Sequence, residues 1–239
     1  MINFAHRGDS ANYPENTILA FKKAIEAKAS GIELDVHKSK DGKLVVIHDE
    51  DIERTFMGKG LVKDHTLLEL KNFKCRKILF RDNEECRIPT LEEVLYIIKE
   101  TSIKLNIEIK TDEIHYEGIE QDAIDMIKEF GLKNRVILSS FNHGSIKICR
   151  EIDNEIELGI LYDKPIQNVV EYAKSLGANA IHPSKELVTQ NLLKEAHDNS
   201  ISVNIYTVNN PRIMRTLIEE NVDGLFTDDP RLLLEVIES

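Results

Sequence analysis

The 239-residue sequence predicts a closed (β/α)8 TIM barrel, and three observations carry that expectation. Short β-rich runs begin at Arg135 (RVILSS), Glu157 (ELGILY), Asn179 (NAIHP), Ile201 (ISVNIY) and Asp223 (DGLFTD), each 22 residues after the last. That spacing is just enough for a strand, a loop, a helix of two to three turns and a return. Three earlier runs, Ile2 to Ala5, Ile32 to Val36 and Ile103 to Ile109, bring the βα units to eight, in a chain close to the ~250 residues usual for such barrels. Residues able to do chemistry end almost every run: His6 and Arg7, Glu33 and Asp35, Glu108 and Lys110, Ser139 and Ser140, His182, Tyr206 and Asp228. An open doubly wound sheet would gather its site at one switch point, whereas a barrel keeps its chemistry around the C-terminal rim.

Helices over Asn16 to Lys28, Thr90 to Lys99 and Glu117 to Phe130 follow the first three strands, the second opened by the capping box Thr90-Leu-Glu-Glu93. Ile166 to Leu176 and Leu192 to His197 have apolar residues at three-to-four spacing. Pro211 and Pro230 follow Asn210 and Asp229 as first-turn prolines behind N-caps. Two features break the repeat. After the second strand, His37 to Lys40 leads through Asp41-Gly42 into Lys43 to His48, an Asp-Gly hairpin signal. A two-residue turn there pairs Lys40 with Lys43 and sets Asp35 opposite His48 on one face. Residues 51–89 then read as an insertion with Gly58, Gly60 and one short helix, Leu67 to Phe73. Its nine Lys or Arg and seven Asp or Glu leave too little apolar content for a core of its own, so it is expected to cap part of the rim of a single domain spanning 1–239.

Composition narrows the function. With 31 Lys and Arg against 42 Asp and Glu, the formal charge of −11 disfavours nucleic acid or an anionic membrane as partner, and a small anionic ligand would need a locally positive pocket. No stretch approaches the ~18 apolar residues of a membrane span, and Met1 to Ala5 runs into His6 without the parts of a signal peptide. A cytoplasmic protein without a stable membrane anchor is expected. Cys75, Cys86 and Cys149 are odd in number and lack CxxC spacing, so reduced structural thiols are expected rather than a disulfide framework or a zinc site.

The strand ends place Glu33, Asp35 and Glu108 on neighbouring strands ~4.8 Å apart, where their carboxylates could converge. Three such groups cannot all stay ionised and unpaired in a partly desolvated pocket without a cation. Oxygen ligands favour Mg²⁺, Ca²⁺ or Mn²⁺ over zinc, which leaves His6 and His48 free for proton transfer. Arg7 and Lys110 supply donors and positive charge suited to phosphate. Together these point to phosphoester cleavage.

His6-Arg7-Gly8, Pro14-Glu15-Asn16-Thr17, Glu33-Leu-Asp35-Val36, Val46-Ile-His48-Asp49, Pro89-Thr90-Leu91, Glu108-Ile-Lys110, Tyr206-Thr-Val-Asn209 and Thr227-Asp-Asp-Pro230 resemble, in order, the motifs of glycerophosphodiester phosphodiesterases. The resemblance spans nearly the whole chain and is nearest to the short cytoplasmic bacterial-type branch. It implies a metal-dependent barrel that releases glycerol 3-phosphate and an alcohol from deacylated phospholipids. It further implies His6 and His48 as the acid/base pair, with His6 the first base, and the free glycerol hydroxyl could then attack phosphorus to give a cyclic phosphate that water opens. Glu33, Asp35 and Glu108 are implied as metal ligands, and Arg7 and Lys110 as phosphate contacts. Tyr206 stands where many relatives carry Trp and is the candidate contact to glycerol or head group.

Other readings frame that one. A lysophospholipase D would need an apolar groove for an acyl chain. A sugar-phosphate isomerase or aldolase would need a Gly-rich phosphate cradle after strands seven and eight, which Tyr206 to Pro211 and Phe226 to Pro230 lack. A noncatalytic binding barrel would be expected to lose one of His6, His48 or the three acids. Asp228 and Asp229 read as helix-cap residues rather than acids of the site, and Pro14 to Thr17 as a helix start in which Glu15 could brace Arg7. His182 ends the sixth barrel strand, where it could touch substrate. His37, His65, His115, His143 and His197 read as surface or helix-associated.

Overall fold

The structure, a computed structural model, describes residues 1–239. In chain order the elements are β1 (Ile2–His6), α1 (Ile18–Glu26), β2 (Gly31–Lys38), β3 (Leu44–Val46), α2 (Leu67–Asn72), α3 (Leu91–Lys99), β4 (Lys104–Ile109), α4 (Ile119–Glu129), β5 (Val136–Ser140), α5 (His143–Ile152), β6 (Glu157–Tyr162), α6 (Val169–Ser175), β7 (Ala180–Pro183), α7 (Gln190–Asp198), β8 (Ser202–Ile205), α8 (Pro211–Glu219), β9 (Gly224–Thr227) and α9 (Pro230–Glu238). Eight strands are parallel, and β1 pairs with both β2 and β9, so the sheet closes as the repeat predicts. Closure removes both sheet edges except where β3 hangs antiparallel on β2.

Local sequence sets the helix starts. Thr17, Thr189, Asn210 and Asp229 each accept a backbone N–H of the first turn of α1, α7, α8 and α9, and Thr90 with Glu93 completes the capping box of α3. One helix escapes the periodic reading: α5 has Gly144 and Ser145 in its first turn, poor helix formers, and is pinned by the Asn142 cap and by the burial of Ile146 and Cys149. Outward side chains of the strands pack against the helices in a cluster of 48 buried residues. Inside the barrel, Phe4, Phe226 and Ile137 form a small apolar floor, with the Phe4 and Phe226 rings stacked 4.7 Å apart. No helix is long and apolar enough to cross a membrane. All three cysteines are buried and unpaired, and burial pushes the Cys86 thiol up to about 11.

Two expectations need correction. In the hairpin, Val36 lies opposite Val46 and His37 opposite Val45, one residue out of the expected register. The turn takes three residues, because the Ser39 hydroxyl binds both Asp41 and the Lys43 N–H while Gly42 closes it at φ +77°. Ile47 rather than His48 therefore meets Asp35, donating to its carbonyl, and His48 reaches the rim just past the strand. The insertion also has a core of its own. Ile52, Phe56, Val62, Leu70, Cys75, Cys86 and Ile88 are buried together with Val45 and Ile47 of the hairpin, so few apolar residues suffice because the hairpin supplies part of the cluster.

The chain leaves β1 through two consecutive left-handed residues, Arg7 at φ 57° and Gly8 at φ 83°. A Cβ on Gly8 would sit 2.7 Å from the backbone carbonyl carbon of Ala20, so only glycine fits this exit. Gly8→Ala should therefore cost on the order of 2–4 kcal/mol through combined backbone strain and overpacking. Gly118→Ala, at φ 70° with nothing within 4 Å of the added carbon, should cost about 1 kcal/mol from backbone strain alone. Urea unfolding of both variants checks this, and equal losses would contradict it.

Candidate active site

Strand register brings the acids together. Glu33 pairs with His6 across β1 and β2, and Asp35 pairs with Glu108 across β2 and β4. Carboxylate oxygens of Glu33, Asp35 and Glu108 all lie within 4.8 Å of one another, and all three residues are buried. Their charges cannot be independent. Burial, then Asp35 and Glu108, raises Glu33 well above the usual carboxylate range. Burial and Asp35 push Glu108 up to about 7 despite Lys110. Burial opposes ionisation of Asp35 too, but Arg7, His48 and Lys110 outweigh it and hold its carboxyl down to about 2.

The β1–α1 loop supplies the positive side. The Arg7 N–H donates to both the Glu33 carbonyl and its carboxylate, each at 3.0 Å, which holds the left-handed residue in place. Its Nη1 donates to Glu15 Oε1 at 2.9 Å, so Glu15 does brace Arg7 as the sequence allows. Asn16 donates to Asp35 Oδ2 at 2.7 Å, and Thr17 caps α1. Each residue from Glu15 to Thr17 thus has its own task. Lys110 donates from Nζ to Glu108 Oε1 at 3.0 Å.

Among the buried polar atoms without a hydrogen-bond partner are Asp35 Oδ1, Asn106 Oδ1 and the Tyr206 hydroxyl, while Arg7 Nε lies 3.4 Å from Asp35 Oδ2. An orphan acceptor in an acid cluster fits a hard cation. The donor set therefore suits a divalent metal at Glu33, Asp35 and Glu108.

His6 and His48 flank the same cavity of about 200 Å³, which is also lined by Arg7, Glu33, Asn106, Glu108, Phe141, Leu161, Tyr206, Thr207 and Phe226. Each imidazole is held from behind. His6 Nδ1 lies 2.6 Å from Asp228 Oδ1, and His48 Nδ1 lies 2.6 Å from Asp49 Oδ1. A carboxylate on Nδ1 fixes the tautomer that leaves Nε2 to exchange protons. Asp228 is held in turn by Asn209 and Ser10.

Asp228 thus departs from the helix-cap reading: Asp229 alone caps α9, while Asp228 orients His6. The Asp-Asp-Pro run holds two roles, and only the cap has a sequence signature. His37 is not on the surface either. It is wholly buried in β2 between the Tyr116 hydroxyl and the His48 carbonyl, 3.0 Å from each, and so supports the His48 backbone. His182 lies outside the cavity lining, buried between Asn204 and the Phe226 ring, and burial lowers it to about 3.

A closed barrel that gathers an acid cluster, the Arg7 and Lys110 cations and two carboxylate-held imidazoles at one rim has the groups that phosphoric diester hydrolysis needs. Comparison with known proteins narrows that reading. The profile of the glycerophosphoryl diester phosphodiesterase family matches residues 6–232. The chain is 41% identical to a glycerophosphodiester phosphodiesterase of Caldanaerobacter subterraneus subsp. tengcongensis, over 98% of this chain and 96% of that protein. It is 39% identical to one of Bacillus altitudinis, over 98% and 97% of the two chains. Among solved structures, an Oleispira antarctica phosphodiesterase in complex with the product sn-glycerol-3-phosphate superimposes with a TM-score of 0.87 at 27% identity, covering 99% of this chain and 96% of the other. The chain belongs to the glycerophosphoryl diester phosphodiesterase family and is a glycerophosphodiester phosphodiesterase.

The raised Glu33 and Glu108 set the pH behaviour of the metal site. Burial and mutual repulsion favour protonation of both, so a cation bound there would compete with protons. Affinity should therefore rise with pH, by about tenfold or more between pH 6 and 8, as a group of pKa near 7 ionises. The gain in Tm on adding a fixed Mn²⁺ concentration should grow over the same window. A pH-independent gain would contradict the coupling.

Proposed function

We propose that the chain hydrolyses glycerophosphodiesters with a divalent hard cation, Mg²⁺, Ca²⁺ or Mn²⁺, through acid/base work by His6 and His48. The carrying observation is one cavity lined by Arg7, Glu33, Glu108 and two carboxylate-held imidazoles, with the Asp35 carboxylate, whose Oδ1 has no partner, clustered against the same acids. Bound to Glu33, Asp35 and Glu108, the cation supplies positive charge that offsets the acids and lowers the pKa of a coordinated hydroxyl. Every other part falls to the chain. Arg7 and Lys110 orient the phosphate. His6 takes the proton of the free glycerol hydroxyl next to the phosphorylated carbon, and that oxygen bonds to phosphorus as the bond to the head-group oxygen breaks. His48 protonates the leaving oxygen. Water then opens the cyclic phosphate with roles reversed: His48 removes its proton and His6 returns one to the departing glycerol oxygen. Family resemblance orders the two histidines. Tyr206, in edge contact with Phe141, meets the glycerol or head group on the apolar wall.

The rival readings fit less well. The cavity of about 200 Å³ suits a ligand the size of glycerol phosphate, and its adjoining pocket at His6 and Arg7 is lined mainly by polar residues rather than the apolar groove an acyl chain would need. The loops after β8 and β9, where an isomerase or aldolase barrel holds phosphate, instead carry Asn209 bound to Asp228, a negative charge at the wrong place.

His6→Ala and His48→Ala should each lower kcat on glycerophosphocholine by ~10² or more. On a nitrophenyl ester of glycerol phosphate, whose leaving group needs no proton, His48→Ala should recover most of its rate and His6→Ala should not. Recovery by His6→Ala alone would exchange the roles, and near-normal activity of both variants on the natural diester would remove the histidines from the mechanism.

A further inference from the structure

Arg54 lies in the insertion, outside the cavity lining and outside every motif that marks the family resemblance. Its side chain is 46% exposed, the usual situation of a surface ion pair worth little. Its partners make it different. Nη1 and Nη2 donate to the two oxygens of Glu15, both at 2.7 Å, while Nε and Nη2 donate to the two oxygens of Asp49 at 2.5 and 3.1 Å. Glu15 is the carboxylate that holds Arg7, and Asp49 is the one that holds His48.

We propose that Arg54 is a positioning residue that fixes His48 and Arg7 relative to each other, by gripping both carboxylates that aim them. The two acids come from separate loops, after β1 and after β3, which no strand pairing joins directly. A single planar guanidinium with five donors can hold two carboxylates in a fork on each side, and an ammonium cannot. The contact also gives the insertion a task. Its own small core holds the loop from Ile52 to Phe56 that carries Arg54, and so ties the geometry of the rim to the folding of the insertion. Without Arg54, Glu15 and Asp49 become neighbouring like charges without a shared cation, free to turn toward water and release the groups they hold.

This rests on the reading that His48 and Arg7 serve the reaction, so His48→Ala and Arg7→Lys are measured alongside. Arg54→Ala and Arg54→Lys are assayed on glycerophosphocholine and on the nitrophenyl ester, with glycerol 3-phosphate as competitive inhibitor. Both should lose ~10- to 100-fold in kcat/KM on the natural diester, the usual scale for a misplaced reacting group, and lysine should not rescue. Their pattern across the two substrates should be a smaller copy of that of His48→Ala, and inhibition by glycerol 3-phosphate should weaken as in Arg7→Lys. Adding Arg54→Ala to Asp49→Asn should cost much less than the product of the separate losses. Wild-type rates in both variants, rescue by lysine, or equal losses on both substrates while His48→Ala discriminates between them would overturn the proposal. Normal activity of His48→Ala and Arg7→Lys would instead overturn the underlying reading and the Arg54 proposal with it. If Arg54→Ala fails to fold, Arg54→Lys decides: it keeps the charge and stem and loses only the fork.

Discussion

Three carboxylates buried within 4.8 Å of one another are the constraint around which the rest of the rim is built. Such a cluster opposes folding unless its charge is answered, and the fold answers it from several directions at once. Arg7 approaches Asp35 at 3.4 Å, Asn16 donates to the same oxygen, and Lys110 donates to Glu108. Even so, burial and repulsion leave Glu33 and Glu108 shifted toward their protonated forms, so the protein's own groups do not fully balance the cluster's charge. Less costly arrangements of residues could fill a barrel mouth. Retention of three acids in a space that desolvates them makes sense when a doubly charged ion completes the set.

That demand reaches into the backbone. For Arg7 to lie against Glu33 and Asp35 it must adopt a left-handed conformation unfavourable for a residue with a Cβ, and its N–H is held there by two bonds to Glu33. The next residue must be glycine because α1 passes so close. The β1–α1 loop returns the support, with Asn16 donating to the Arg7 carbonyl from its own left-handed position. The two histidines line the same cavity, each backed by an acid that does not. Charge therefore alternates outward from the cluster, through Arg7 to Glu15 and from His48 to Asp49, with Arg54 closing the outer circuit. In the proposed function, an acidic protein of formal charge −11 would meet a phosphate through this local alternation rather than through its overall field.

Much of this was legible in the sequence because periodicity and residue type determine it. The 22-residue spacing gives the parallel strands, the rim residues follow from where the strands stop, and the three acids converge because adjacent strands are close. What was misread depends on backbone dihedrals or long-range partners. The hairpin register turned on whether Gly42 closes a two- or three-residue turn, which the Ser39 hydroxyl decides. Asp228 has the signature of a cap, and its bond to His6, 222 residues away along the chain, leaves no local trace. His37 and His182 carry the same side chain as His6, yet burial makes one a backbone support and the other part of the barrel packing. Arg54 sits in an insertion whose composition argues only for a solvated cap. The small core beneath it was hidden because part of that core belongs to the hairpin.

The claim that one cation completes the acid cluster is tested most directly by anomalous diffraction from crystals soaked with Mn²⁺ and glycerol 3-phosphate at neutral pH. The account predicts a single strong manganese peak in contact with carboxylate oxygens of Glu33, Asp35 and Glu108, with the phosphate reaching Arg7 and Lys110. Manganese bound elsewhere on the rim, or a phosphate seated at Arg7 and Lys110 beside a cluster that takes up no metal, would contradict it.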